Sequence, residues 1–302
     1  WAVNEKVAME TAVGAYDPDQ TNGSGAGPAA IRPVRIQTSA GKPVILEGFT
    51  ITGGSCHEPT SANTHNYGGA VLGDSSDRTW LVDCEITANG GFRGITYKVC
   101  LLRCYVHDIH VPNAKGMCSW LGTVVNSVVS RVSGGNPFCS AKVYNSTLDN
   151  VSNGQVATET SWLYNSVLMR QSANFSDSGS NHVFNCVCNS KEYHFWAGSS
   201  GNVMEARIEQ LVAPILDDYR LVNTSDAIGL GDPSYLEQVA VPEGYDVWTD
   251  FHGQPIPKTG RINAGAIQEV VTPAGGRMTF TASVGVVGYP SPGFKGVAND
   301  YA

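Results

Sequence analysis

The sequence predicts an all-β protein, a right-handed parallel β-helix whose solenoid coils hold about 20 residues each, with a C-terminal cap. Three observations predict this fold class. A motif repeats every 19 to 23 residues, apolar and small side chains alternate within each repeat, and asparagine recurs at one turn position. Stretches with the longer period of an amphipathic helix are absent from the repeat region.

The repeat becomes visible when seven segments are aligned. Asn126, Asn145, Asn165 and Asn185 follow one another at intervals of 19, 20 and 20 residues. A fixed period of this length is typical of a solenoid, in which each coil packs on the next. The aligned segments are LEGFTI (46–51), VDCEI (82–86), LRCYV (102–106), VNSVV (125–129), YNSTL (144–148), YNSVL (164–168) and FNCVC (184–188). The first two are 35 residues apart, from Phe49 to Cys84, so one longer excursion is expected between them.

Each repeat also shows the alternation of a β-strand. A small residue such as Cys104 or Ser127 is followed two positions later by an aliphatic residue, here Val106 or Val129. Side chains two residues apart lie on the same face of a strand. Parallel strands at a fixed period require a crossover, and in a β-helix the coil itself supplies it. Neighbouring coils then pair at a spacing of about 4.8 Å.

The turn position of the repeat is the most informative one. Asparagine tolerates the left-handed backbone conformation that a sharp bend between two strands requires. We therefore expect the repeated asparagines to line up at one corner of the solenoid. We also expect their amides to hydrogen-bond from coil to coil, as asparagine ladders do in stacked β-structures.

Composition narrows the function classes. The 302 residues include 34 glycines and only 15% charged residues, with a formal net charge of −8. Because no run of basic residues stands out, we expect no nucleic acid partner. We also expect no membrane span, because no apolar run reaches about 18 residues. The chain begins with Trp1 and shows no signal peptide, so we interpret it as a mature chain or a fragment.

The eight cysteines do not have the spacing of a zinc site. Cys84 and Cys104 occupy the same column of neighbouring coils, and Cys118 and Cys139 align in a second column. Such pairs are candidates for disulfides, and buried free thiols are the alternative.

The extent of the repeat divides the chain into four predicted regions. Residues 1–43 are predicted to be an N-terminal segment of partial coils, and residues 44–200 the parallel β-helix. Residues 201–268 are predicted to be the C-terminal cap, and residues 269–302 a tail that begins a further β domain.

The N-terminal segment contains one weak candidate for a cofactor. Asp17 and Asp19 lie in a loop rich in glycine and acidic residues and are candidate ligands for Ca²⁺. Their spacing departs from the EF-hand pattern, so a plain turn is the alternative. No other cofactor is expected.

Three segments carry a resemblance to a known family. These are DYRLVNTSDAIGLGDP (218–233), TDFHGQPIP with GRINAGAIQ (249–268), and EGFTITGG (47–54). They resemble the choice-of-anchor Q type of right-handed parallel β-helix proteins from bacteria. The sequence departs from that pattern at Asp226, where the family has proline, and at Asn263, where it has aspartate. The resemblance implies a secreted or surface-anchored protein but no particular reaction. A more distant likeness to pectate lyases is an analogy of fold.

The densest group of candidate catalytic residues is His107, Asp108 and His110, with Arg131 at the same level of the next coil. A polysaccharide lyase needs a base and a cation that neutralises a uronate carboxylate. One of the histidines is a candidate base, and Arg131 is the candidate cation. The alternative is a polar turn whose side chains satisfy one another.

Two further groups are candidates for substrate binding. One is a face of charged residues, in which no two acids fall together; this argues against a hydrolase with two carboxylates. The other contains aromatic rings that stack on sugars, with an end-capping role as the alternative. The charged face contains Arg93, Lys98, Lys142 and Glu159, and the aromatic group contains Tyr193 and Trp196.

Taken together, these features predict an extracellular or cell-surface module that binds polysaccharide or another surface along its flank without catalysis. Its predicted partner is a polysaccharide or a cell-surface glycan. Two alternatives stay open: a polysaccharide lyase or other carbohydrate-active enzyme, and a structural segment of a surface fibre, sheath or adhesin. The last alternative implies neighbouring domains or self-assembly as partners.

Overall fold

A computed structural model describes residues 7–10, 32–38, 42–56, 67–91, 93–111, 115–152, 156–170, 180–189, 197–206 and 209–272. It confirms the predicted all-β parallel β-helix, with coils of about 20 residues. Most of the predicted N-terminal segment, including Asp17 and Asp19, lies outside the described residues. So does most of the predicted tail. None of the described helices is long and apolar enough to cross a membrane.

The described elements are short strands, with one short α-helix and one 3₁₀ turn. In chain order they are β1 Val7–Glu10, β2 Val34–Arg35, β3 Val44–Glu47, β4 Phe49–Thr52, β5 Val71–Leu72, β6 Thr79–Val82, β7 Glu85–Thr87, β8 Thr96–Tyr97, β9 Cys100–Leu102, β10 Tyr105–His110, β11 Lys115–Trp120, β12 Thr123–Val125, β13 Val128–Ser133, β14 Asn136–Cys139, β15 Lys142–Tyr144, β16 Thr147–Ser152, β17 Ala157–Thr158, β18 Trp162–Tyr164, β19 Val167–Met169, β20 His182–Phe184, β21 Val187–Cys188, β22 Leu211–Ala213, the 3₁₀ turn Pro214–Leu216, β23 Asp218–Val222, α1 Ser234–Glu237 and β24 Val270–Val271.

Three parallel sheets form the walls of the solenoid, because each complete coil contributes one strand to each sheet. The first sheet contains β1, β4, β7, β10, β13, β16, β19 and β21; the second contains β3, β6, β9, β12, β15, β18 and β20; the third contains β2, β5, β8, β11, β14 and β17. Register follows the repeat: Val106 pairs with Ile86 on one side and with Val129 on the other. The stacked aliphatic column of the first sheet is buried in the core.

The turn column lies at the corner between the second and first sheets, as predicted. All six of its residues have a left-handed backbone, with φ between 43° and 52°. Two more left-handed columns divide the coil, one along the first sheet and one between the third and second sheets. The turn column comprises Asp83, Arg103, Asn126, Asn145, Asn165 and Asn185; the second column includes Asp108, Arg131, Asn150 and Arg170; the third column comprises Lys98, Leu121, Ser140 and Glu159.

The predicted coil-to-coil ladder of asparagine amides is wrong. The Asn126 amide donates to the carbonyls of Val247 and Thr249, each at 2.8 Å. The Asn165 amide donates to the Asp232 carbonyl at 2.8 Å. The physical reason is that the C-terminal region, residues 209–272, covers this corner and offers backbone carbonyl groups to the amides. The buried Asn145 amide has no hydrogen-bond partner within the described part of the chain.

The ladder is formed instead by the small residue that follows the turn. The Cys104 amide donates to Ser127 Oγ at 3.0 Å, and the Ser127 amide donates to Ser146 Oγ at 3.3 Å. The Ser146 amide continues the ladder to Ser166 Oγ at 3.2 Å. These serines are fully buried, so the ladder satisfies hydroxyl groups that would otherwise be costly in the core.

All eight cysteines are buried free thiols. Burial raises the pKa of Cys100 to about 11 and that of Cys186 to about 12, so both remain protonated at neutral pH. The cysteine pairs proposed from the sequence are therefore buried free thiols and not disulfides.

The C-terminal region packs along the flank of the coils. Its strands β22 and β23 are antiparallel, and β24 pairs in parallel with β23. Leu236, Val247 and Ile262 form one apolar cluster with outer side chains of the second sheet, such as Leu102 and Tyr144. The region predicted to be the C-terminal cap therefore covers the turn column and the outer face of the second sheet next to it.

Candidate functional site

The predicted catalytic group forms part of an ion network on the outer face of the first sheet. His107 Nδ1 lies 2.6 Å from Asp108 Oδ2, and its Nε2 lies 2.9 Å from Glu85 Oε1. Arg131 Nε donates to Asp108 Oδ1 at 2.6 Å. The register of β10 on β7 and β13 brings these residues together, since Asp108 and Arg131 share one left-handed column.

The C-terminal region completes this network. The Arg131 guanidinium also donates to Asp217, and its Nη2 donates to Tyr105 Oη at 3.0 Å. Tyr105 Oη in turn donates to Asp217 Oδ1 at 2.7 Å, and Tyr219 Oη donates to the same oxygen at 3.0 Å. The network thus joins three successive coils of the solenoid, through β7, β10 and β13, to Asp217 and to Tyr219 of β23.

The charges of the network neutralise one another. The hydrogen bond from Arg131 is the largest cause of the lowered pKa of Asp108, with burial acting in the opposite direction. At Asp217, burial raises the pKa, but hydrogen bonds from Tyr105, Arg131 and Tyr219 outweigh it and lower the pKa. Burial raises the pKa of Tyr105. Because Arg131 already pairs with two carboxylates, its positive charge is neutralised and attracts a substrate carboxylate only weakly.

We expect this network to make the fold less stable in acid. Asp108 and Asp217 have pKa values below 3.8 in the folded protein, so the stability they add is present above about pH 4 and is lost as pH falls through the lowered values. Because both carboxylates are half exposed, the contribution is about 1 kcal/mol. Thermal unfolding measured from pH 6 to strongly acidic solution checks this. An Arg131→Met variant is expected to lose this part of the pH dependence, and an unchanged dependence would contradict the assignment.

Two other candidates, His110 of the predicted catalytic group and Arg93 of the predicted charged face, do not join the network. His110 is exposed, with its Nδ1 2.7 Å from Ser133 Oγ. Arg93 contacts Tyr67 and Trp120 beside the third sheet. The structure therefore brings His107, Asp108 and Arg131 together and leaves His110 and Arg93 apart.

A second site lies on the outer face of the third sheet, where three aromatic rings touch. The Tyr67 and Tyr97 ring centroids are 4.2 Å apart, and the Trp120 ring meets both edge-on at 5.4 and 6.1 Å. The Arg93 guanidinium lies 5.6 Å from the Tyr67 centroid and donates to Tyr67 Oη at 2.9 Å. We call Tyr67, Arg93, Tyr97 and Trp120 the aromatic cluster.

The local fold explains why this cluster faces outward. Leu72, Tyr97 and Trp120 are partners across β5, β8 and β11, and Arg35 of β2 pairs with Leu72. The neighbouring column begins with Val34 and Val71, which lie in the core. Because side chains alternate along a strand, the column of Tyr97 points away from the core.

A groove of about 370 Å³ opens beside the aromatic cluster. Lys98, at the left-handed corner after Tyr97, places its Nζ 5.7 Å from the Tyr97 ring centroid. Burial raises the pKa of Tyr97, so its hydroxyl is protonated at neutral pH. The groove is lined by Arg35, Gln37, Tyr67, Asp74, Tyr97 and Lys98, among others.

The remaining substrate-binding candidates lie elsewhere. Lys142 extends over the Trp162 ring at 5.9 Å, and that ring stacks on His182 at 5.3 Å, all on the second sheet. Glu159 accepts a hydrogen bond from Ser140 at 2.9 Å. The predicted charged face is therefore divided between two sheets. Tyr193 and Trp196 lie outside the described residues.

Sequence reasoning missed Tyr67, Tyr97 and Trp120. Tyr97 and Trp120 occupy the same position in successive coils, each directly before a left-handed corner residue, Lys98 or Leu121. An alignment of the coils at that corner would have placed the two rings side by side. The strands of the third sheet are too short and irregular to make that alignment visible.

Comparison with known proteins adds no relative: no family model matches the chain, and no curated protein matches it. The resemblance to choice-of-anchor Q proteins therefore stays a prediction.

Proposed function

We propose that this chain is a carbohydrate-binding module that holds a polysaccharide on its aromatic cluster without catalysis. The observation that carries the proposal is a cluster of three aromatic rings in mutual contact on the outer face of a sheet, two of which, Tyr67 and Trp120, also contact the Arg93 guanidinium. On the second sheet, the outer rings of Tyr144 and Tyr164 pack against the C-terminal region, whereas Trp162 does not belong to that apolar cluster. The proposed extracellular or cell-surface location rests on the sequence resemblance alone.

Sugar rings suit such a surface for a physical reason. One face of a pyranose presents C–H groups, which pack on the negative face of an aromatic ring, while its hydroxyl groups remain at the edge for polar side chains. Tyr67 and Tyr97 are only half-buried, so both retain surface for this contact. A rigid sheet loses little conformational entropy on binding, and Arg93 holds the Tyr67 ring in place.

Removal of one ring tests the proposal. A Tyr97→Ala variant is expected to bind polysaccharide about tenfold more weakly, since loss of one stacked ring costs about 1.4 kcal/mol. Glycan arrays identify the ligand, and calorimetry measures the affinity.

The matched control is Trp162→Ala. It also removes a half-buried ring with a lysine above it, but from the second sheet. This variant is expected to keep full affinity. Equal losses in the two variants, or no binding to any glycan by the wild type, would contradict the proposal.

Polysaccharide lysis is the second candidate function. The observation that favours it is an imidazole and a hydroxyl held beside one guanidinium: Arg131 Nη2 lies 3.0 Å from Tyr105 Oη and 3.4 Å from His107 Nδ1. Lysis would require a substrate carboxylate to displace Asp108 or Asp217 from Arg131. Incubation with acidic polysaccharides, followed by ultraviolet absorbance of unsaturated products, separates the two candidates. Lysis predicts product that disappears in His107→Ala, whereas binding alone predicts none.

A further inference from the structure

We infer that the groove beside the aromatic cluster selects an acidic saccharide, whose carboxylate or sulfate lies between Arg35 and Lys98. The inference rests on the proposed function and names the class of ligand for the same site. It predicts that the chain, although acidic as a whole, binds a polyanion through one local basic surface.

Some cationic side chains of the protein form ion pairs with carboxylates, and others do not. Arg103, Arg131, Arg170 and Arg220 each form an ion pair with an aspartate. Within the described ranges, no ion pair is formed by Arg35 or Lys98, although both line the same groove. In a chain with a formal net charge of −8, two cations without carboxylate partners in one groove mark a place for an external anion.

Asp74 is the single acidic residue that lines the groove. Both of its oxygens are already bonded: Oδ2 accepts from the Thr38 amide at 2.8 Å, and Oδ1 accepts from Thr38 Oγ1 at 2.7 Å. These hydrogen bonds hold Asp74 toward the residues after β2, and the Thr38 hydroxyl is the largest cause of its lowered pKa. Asp74 forms no ion pair with Arg35 or Lys98, and its single negative charge stands against two positive charges, so the groove lining keeps a net positive charge.

Both cations lie close to the aromatic cluster. Lys98 follows Tyr97 directly, and Arg35 belongs to the same outward column as Tyr97, two strands away. A sugar stacked on Tyr97 thus has a cation at its edge. The groove volume of about 370 Å³ lies within the usual range for small-ligand sites.

The test uses the full chain and matched pairs of polymers. Polygalacturonate, polymannuronate and hyaluronan are each compared with their carboxyl-reduced, neutral counterparts by calorimetry. The inference predicts that at least one acidic polymer binds about tenfold more tightly than its neutral partner. It also predicts that added salt reduces this difference, because Arg35 is exposed and Lys98 is partly exposed to solvent.

A double variant, R35Q with K98Q, is expected to bind the acidic polymer no better than the neutral one. The control is K142Q, which removes one exposed cation from the second sheet and is expected to keep the acidic preference. Unchanged thermal unfolding midpoints verify that the variants fold.

The outcomes separate the two proposals. Equal binding of acidic and neutral polymers by the wild type would overturn the acidic selectivity and leave the carbohydrate-binding module intact. An acidic preference that survives in R35Q/K98Q would likewise overturn the assignment to this groove. Failure of every polymer, acidic or neutral, to bind would overturn both proposals.

Discussion

An Arg170→Met variant is expected to lower the free energy of unfolding by about 3 kcal/mol. The Asp149 side chain is 0% exposed, and Arg170 bonds both of its oxygens, with Nε to Oδ1 at 2.7 Å. Removal of the guanidinium leaves an ionised carboxylate without its cation inside the protein. Breaking such a pair costs far more than breaking one at the surface, because water does not replace the lost partner. Urea denaturation measures the change.

The matched control is Arg220→Met. Arg220 also makes a bidentate contact with an aspartate, Asp218, but both side chains are partly exposed, so the expected loss is much smaller than that of Arg170→Met. Adding Asp149→Asn to the Arg170→Met variant is expected to restore part of the stability, since it removes the buried charge. Equal losses for Arg170→Met and Arg220→Met would contradict the burial of Asp149.

A Leu236→Ala variant is expected to lower the free energy of unfolding by about 3 kcal/mol. Leu236 of α1 is 0% exposed and belongs to the apolar cluster that joins the C-terminal region to the second sheet. Its truncation leaves a cavity between the cover and the coils. Because the two parts share this cluster, unfolding is expected to remain a single transition at a lower temperature, measured by calorimetry.

Ile215→Ala provides the control from the same region. Ile215 is 79% exposed, so its truncation is expected to change stability by less than about 0.5 kcal/mol. A separate early transition in Leu236→Ala would mean that the C-terminal region folds independently of the solenoid, which contradicts the shared core.

The solenoid was predictable because its geometry is local and repeated. A left-handed corner followed by a small residue and an aliphatic residue recurs at nearly constant spacing, so one coil determines the register of the next. The convergence of Asp108 with Arg131 followed from the same register. The ladder was assigned to the wrong residue, since the asparagine amides reach Val247, Thr249 and Asp232, which are distant in sequence.

The candidate binding site was only half predictable for a similar reason. Arg93 and Lys98 were identified as members of a charged face, but the rings that they contact, such as Tyr97 and Trp120, belong to the third sheet. There, β5 and β8 have two residues each, and the pairing of β11 with β14 is irregular. Such short elements carry no repeat that a sequence alignment reveals. Likewise, Asp217 joins Arg131 across 86 residues, without a local signal.

The position of a bound saccharide tests the central claim most directly. A crystal structure of the protein with an oligosaccharide of the best-binding acidic polymer is expected to show a sugar ring on Tyr97, with its acidic group between Arg35 and Lys98. A saccharide bound instead over Trp162, or beside His107 and Arg131, would contradict the assignment of the binding surface to the third sheet.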